Sequence, residues 1–326
     1  MLEFDLIARI RQRAGLREDV VLGIGDDCAL LSPPAGMQLA VTTDTLNCGV
    51  HFPEETAPFD IGWKALAVNL SDLAAMGARP AWCTLSLSLP EAEAGFVDGF
   101  LDGFLTMAQR HDVAIVGGDT TRGPLSISVA ALGFIGPGQA LRRDGARAGD
   151  DIWVSGTLGD AAAALAQWQA NAPIDLALRA RLDRPTPRLE LGRALCGIAS
   201  ACIDVSDGLL ADLAHVCDAS GVGAELQLEA LPASAALDAA FDLGTRRQLQ
   251  ATGGDDYELC FCAQAVHRAQ VEAIARDIGT PVKRIGQVTE GCRVIVRSSQ
   301  GETWLPPSAG YVHFGETAAK PSERRQ

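Results

Sequence analysis

Residues 20–27, VVLGIGDD, run from an apolar, strand-like stretch through two glycines into a pair of aspartates, Asp26 and Asp27. The same order of parts returns in TTD (42–44), GGD (117–119), DVSDG (204–208) and GGDD (253–256). Open α/β sheets bind ligands outside their strand ends. The repetition therefore predicts an α/β protein in which Asp26, Asp27, Asp44, Asp119, Asp204, Asp207, Asp255 and Asp256 turn toward one cleft. Asp72 joins them from the apolar stretch ALAVNLSDLAAMGA (65–78), three residues after Asn69 and so on the same helical face. One aspartate beside a glycine is an ordinary turn or helix cap. Recurrence in both halves of the chain gives the pattern its weight.

Outward from these motifs, strands and helices alternate. VVLGIG, QLAVTTD, WCTLSLSLP, 113–117 and 125–135 read as strands, while 58–76 and 91–111 carry a helical period. The polar, Arg- and Gly-rich segment QALRRDGARAGD predicts a boundary, with one domain over 1–138, a linker over 139–150 and a second domain over 151–326. In the second domain, strands are expected at 152–155, 201–205, 224–228, 257–263 and 282–288, and helices at 160–170, 186–197, 207–220 and 266–279.

Composition narrows the function. With 326 residues, 41 acidic against 27 basic side chains and a formal charge of -14, the chain would repel a nucleic-acid backbone and an anionic membrane surface. The nine cysteines form no CxxC, which points to reduced thiols in the cytoplasm; Cys260 and Cys262 alternate in an apolar strand as small buried side chains. The opening MLEFDLIARIRQRAG has a helical period with acids and does not read as a signal peptide. No run approaches the ~18 apolar residues of a membrane span.

Carboxylates gathered without cations would repel by about 4 kcal/mol per close pair at an effective dielectric near 20. Convergence thus implies a bound metal, and hard oxygen ligands with few histidines select Mg²⁺ or a similar ion over zinc. No GxxxxGK[ST] loop is present, and with lysine only at 64, 283 and 320 a Walker-type phosphate cradle is excluded. Phosphates would instead meet Mg²⁺, the backbone N–H groups of Gly117-Gly118, and Arg142 or Arg143 in the linker. No His or HRD-type base is evident, as phosphorylation of an alcohol would require. A phosphate acceptor is already anionic and needs none, so the residues suit transfer from ATP to a phosphorylated small molecule.

GIGDDCALL, TTDTL, His51-Phe52, NLSDLAAMGA, GGDTTRG, Arg143, DVSDGL and GGDDYELCF follow one another across nearly the whole chain. In this the sequence resembles the thiamine-monophosphate kinase family, within the wider aminoimidazole ribonucleotide synthetase-like group. The resemblance implies a two-domain α/β (α+β) fold, with an N-terminal mixed sheet and helices that bind ATP and metal and pair into a homodimer, and a C-terminal α/β domain that completes the site. It implies in-line transfer from ATP to thiamine monophosphate. Metal ligands would be Asp27, Thr42, Thr43, Asp44, Asp72, Asp119, Asp204 and Asp207; nucleotide contacts Gly118, Asp119, Arg143 and Ser206; substrate contacts His51, Asp255 and Tyr311. The family often carries Glu where Asp255 stands. Another ATP-using member of the wider group, or a non-catalytic Mg-nucleotide-binding protein, are the alternatives the same residues leave open.

Overall fold

The computed structural model describes residues 3–15, 17–306 and 310. The first half contains α1 (Glu3–Arg13), β1 (Val20–Leu22), β2 (Leu30–Leu31), β3 (Gln38–Asn47), α2 (Pro58–Ala75), β4 (Arg79–Leu89), α3 (Ala94–Arg110), β5 (Ala114–Arg122) and β6 (Ser126–Ile135). The second contains β7 (Asp151–Ser155), α4 (Asp160–Gln169), α5 (Leu176–Asp183), α6 (Leu189–Ala194), β8 (Ala199–Asp204), α7 (Leu209–Ser220), β9 (Gly223–Gln227), α8 (Ala235–Ala240), α9 (Leu243–Thr252), β10 (Leu259–Ala263), α10 (Arg268–Ile278), β11 (Val282–Thr289), β12 (Val294–Arg297) and β13 (Thr303–Trp304). Turns without a regular element join the halves over 136–150.

The N-terminal sheet has the order β3-β6-β4-β5, mixed because β4 and β5 run parallel while the other neighbours are antiparallel. Helices α2 and α3 cover one face. Pro58 opens α2, where its missing N–H is no loss, and the helix is apolar nearly all round because it is wrapped by protein on most sides. It lies so close to α3 that a Cβ on Gly62 or Gly103 would run into the backbone carbonyl of Phe100 or Phe59. The other face of the sheet, with Trp82 against Phe134 edge to face, is covered by Val20, Ala29 and Leu31 around the small β1–β2 ladder.

The second sheet has seven strands in the order β13-β12-β9-β11-β7-β10-β8, all neighbours antiparallel except β12 with β9. Successive residues of β10 point to opposite faces. Cys260 and Cys262 pack with Leu213 and Val216 of α7 on one side. Leu259 and Phe261 lie on the other, in a cluster continuous with α2 and α3, so one core runs through both halves.

The sequence reading placed the aspartates at strand ends, as in a parallel open sheet. The structure differs: Asp44 lies inside the ten-residue β3, Asp119 lies inside β5, which continues to Arg122, and the 253–256 motif precedes β10. β3 pairs antiparallel with β6 along its whole length and β5 pairs parallel with β4 as far as Arg122, so both strands run on past their aspartates. The helix expected over 186–197 is confined to Leu189–Ala194, since Pro185 and Pro187 hold the preceding chain out of the helical region. Three short helices escaped the sequence reading, α5, α8 and α9, although Asp175, Ser234 and Asp242 cap their first N–H groups.

Candidate active site

Three elements meet where the halves adjoin. β3 brings Thr42 and Asp44, α2 brings Ser71 and Asp72, and the end of β8 brings Asp204. The Thr42 hydroxyl donates to Asp72 Oδ2, and Ser71 Oγ donates to Asp204 Oδ2 at 2.7 Å. Burial, reinforced by the charge of Asp72, pushes the Asp44 carboxyl up to about 6. Burial also raises Asp72, against the Thr42 hydrogen bond and the positive charge of Arg143. Asp204 is raised by burial first and then by Asp72, while Ser71 opposes. These carboxylates sense one another strongly, and Thr42, Asp72, Arg142, Arg143 and Asp204 line one cavity of about 550 Å³.

Thr43 does not share that face. The period-two alternation of β3 turns Thr42, Asp44 and the buried Leu46 to one side and leaves Thr43 exposed on the other, where its hydroxyl donates to the Val129 carbonyl at 3.1 Å. Its side chain is separated from the carboxylates expected to be its co-ligands.

Asp26, Asp27, Gly117, Gly118 and Asp119 line a second cavity of about 510 Å³, together with Ile7 and Ile10 of α1. The three carboxylates here are exposed. Gly118 has φ +148° and sits on the Leu85 carbonyl of β4, so only glycine fits. Asp26, Asp27 and Asp119 thus line one cavity and Asp72 and Asp204 another, while Asp44, Asp207, Asp255 and Asp256 line neither.

The 204–208 motif forms the turn into α7. Asp212 Oδ2 accepts the backbone N–H groups of Ser206, Asp207 and Gly208 at 3.0, 3.1 and 3.1 Å. Those donors are consumed internally, which leaves Ser206 and Asp207 to act through their side chains. Burial and the Asp207 charge push Asp212 up to about 7. Gly310 rests against the Asp207 carbonyl; Tyr311 lies outside the described residues.

His51 and Asp255 are joined by a residue the sequence reading set aside. Lys64, on α2 and 2% exposed, donates from Nζ to the His51 carbonyl at 3.0 Å and to Asp255 Oδ2 at 3.1 Å. Tyr257 donates its hydroxyl to the other Asp255 oxygen at 3.0 Å, and Asn47 N–H donates to His51 Nδ1 at 3.0 Å. Burial and the charges of Asp255, Asp44 and Asp204 drive Tyr257 upward, which sets this group beside the first carboxylates. Lys64 and Asp212 were both missed. A lysine inside an otherwise apolar helix was the available signal for the first; an acid on the first turn after DVSDG was the signal for the second.

All these donors are carboxylate or hydroxyl oxygens, the set that suits a hard divalent cation. Among the described residues, no group of three or more His, Cys, Asp or Glu side chains lies close enough to hold an ion unaided.

Residues 25–135 match the AIR synthase related protein N-terminal domain, and residues 147–299 match the C-terminal domain of the same class. Fold and site therefore define a two-domain protein of the AIR synthase related class. Within it, the chain is 46% identical over 318 residues to the thiamine-monophosphate kinase of Salmonella typhimurium, covering 96% of this chain and 98% of that one. The crystal structure of thiamine-monophosphate kinase from Stenotrophomonas maltophilia K279a is 56% identical with a TM-score of 0.86, over 93% of this chain and 98% of the other. The solved complex of AaThiL with AMPPCP and TMP is 34% identical with a TM-score of 0.76, over 96% and 97%. The chain belongs to the thiamine-monophosphate kinase family of enzymes.

Proposed function

We propose that the protein uses ATP to phosphorylate thiamine monophosphate, yielding thiamine diphosphate and ADP by in-line transfer. The observation that carries this reading is the shared cavity in which Asp72 and Asp204, from the two halves, face Arg143. Buried carboxylates that push one another upward are poised to bind cations, and the AaThiL relative was solved with the ATP analogue AMPPCP together with TMP.

The donors fit Mg²⁺, which is usually held by one or two carboxylates plus substrate phosphates and needs no all-protein cage. Bound there, several Mg²⁺ ions would neutralise the facing phosphates and hold their oxygens in line. Asp44, Asp72 and Asp204 would form one carboxylate set, and Asp27 and Asp119 a second, with Asp207 and Thr42 beside them. Gly118 opens its backbone to the phosphates, while Arg143 places a guanidinium on the transferring group and Ser206 a hydroxyl. His51 and Asp255 would hold the acceptor. An acceptor phosphate oxygen is already ionised, forms the new bond to the γ-phosphorus as the bond to the ADP oxygen breaks, and needs no base from the protein.

Leu39 and Val41 are 44% and 65% exposed on the edge strand β3, which supports a homodimer formed through the N-terminal sheets. Nine unpaired cysteines and an acidic composition support a cytoplasmic protein without nucleic-acid partners; among the described residues no helix is long and apolar enough to cross a membrane. Incubation with Mg-ATP should convert thiamine monophosphate to thiamine diphosphate and leave unphosphorylated thiamine untouched. ADP release with no diphosphate formed would overturn the reading.

A further inference from the structure

Lys64 is an unusual resident for its position. It lies on the most enclosed of the described helices, 2% exposed, and a buried ammonium is costly unless partners surround it. Its two partners come from segments far apart in sequence: the His51 carbonyl in the loop after β3, and the carboxylate of Asp255, 191 residues further on in the other half. Arg179 satisfies Asp183, the other acid that feels the lysine's charge.

The Asp255 turn needs such an anchor. Asp255 and Tyr257 both have left-handed φ, +67° and +50°, without being glycine. The turn is tied on its far side to the phosphate-side motif, with Asp255 N–H donating to the Ser206 carbonyl and Tyr257 N–H to the Val205 carbonyl, each at 2.8 Å. Lys64 supplies the near side. A continuous set of bonds thus runs from the His51 loop through Lys64 and Asp255 to Ser206.

We infer that Lys64 is a positioning residue, an interdomain anchor that fixes the His51 loop against the Asp255 turn and so sets the geometry of the acceptor's end of the site. This rests on the proposed function for the identity of the acceptor. The anchoring itself does not. Its partners are His51 and Asp255, the residues assigned to the acceptor, so its removal loosens acceptor binding more than nucleotide binding.

Two readouts test the anchor in Lys64→Met and Asp255→Asn, the second keeping an acceptor of the same shape if the first folds poorly. Hydrogen exchange needs no substrate. Both variants should exchange faster over residues 47–52 and 253–257 with the rest of the sheet protected, and unchanged exchange there overturns the proposal whatever the enzyme does. Kinetics then read the consequence. KM for thiamine monophosphate should rise about tenfold while KM for ATP stays within about twofold, and the double variant should be no worse than the poorer single one. A loss of kcat alone, equal effects on both substrates, or additive losses would each count against the anchor. If the wild-type protein makes no thiamine diphosphate but the exchange result holds, the acceptor assignment fails and the anchor stands.

Discussion

Ser71 Oγ lies 2.7 Å from Asp204 Oδ2, a hydroxyl on α2 donating to a carboxylate on β8 across the two halves of the protein. Both residues are buried, so this hydrogen bond is the local stabiliser of the charged carboxylate against its burial and the nearby Asp72. Ser71→Ala removes it, and a hydrogen bond to a charged group contributes about 1.5–3 kcal/mol. The variant should lose about tenfold or more in kcat/KM at neutral pH. The acid limb of its pH profile should move to higher pH, because Asp204 would hold its proton longer. An unshifted limb would show that Ser71 is only a packing residue.

Asp44→Asn and Asp72→Asn separate stability from activity. Each removes a charge that burial disfavours and that pushes a neighbouring carboxylate upward, so the metal-free variant should melt at the wild-type temperature or above it. Each also removes a ligand, and phosphoryl transfer should fall below detection. Circular dichroism and a product assay on the same preparations check both halves. Full transfer in both variants would reduce these aspartates to structural residues.

The same carboxylates set a pH dependence. Asp44 has a folded value of about 6, above the ordinary 3.8, and Asp204 is raised as well. The native state therefore binds more protons than the unfolded chain across this interval, and stability falls as pH rises. Their contribution is fully present below about pH 4 and is lost as pH passes through about 6 and beyond. Melting of the metal-free protein should thus weaken from pH 5 to pH 8, with a shallower slope in Asp204→Asn. Mg-ATP should restore the loss most strongly at the upper end, where the carboxylates are ionised and free to bind cations. A slope identical in both proteins would remove Asp204 from the account.

What the sequence made legible, and what it hid, follows from the range over which each signal acts. The motif aspartates, the long helix 58–76 and the alternation at Cys260 and Cys262 are local patterns, and each stands in the structure within a few residues of its expected place. Sheet direction is not local. Pairing that joins β3 to β6 and β5 to β4 carries those strands on past Asp44 and Asp119, while Asp204 keeps its place at the end of β8. Thr43 stands with Thr42 and Asp44 among the ligands that the family resemblance implies, and strand geometry turns its side chain to the other face. Lys64 was weighed only as an absent Walker lysine, since its partners at 51 and 255 are visible only once the halves are folded together.

Gly117 and Gly118 are adjacent and look interchangeable in sequence, yet they answer to different constraints. A Cβ on Gly117 would meet nothing within 4 Å. One on Gly118 would drive into the Leu85 backbone from a φ of +148°, and a backbone neighbour on the parallel strand β4 cannot swing aside as a side chain would. Gly118→Ala should therefore cost about 2 kcal/mol or more of stability, through a conformation that L-residues resist together with separation of β5 from β4. The melting temperature should drop by several degrees, and nucleotide binding should go with it. Gly117→Ala should keep the wild-type melting temperature, but it adds a methyl group to a residue that lines the cavity shared with Asp27 and Asp119, so KM for ATP should rise with the fold intact. Equal melting temperatures for the two variants would show that the Gly118 backbone can relax, and would leave the phosphate-cradle role of this strand without its geometric basis.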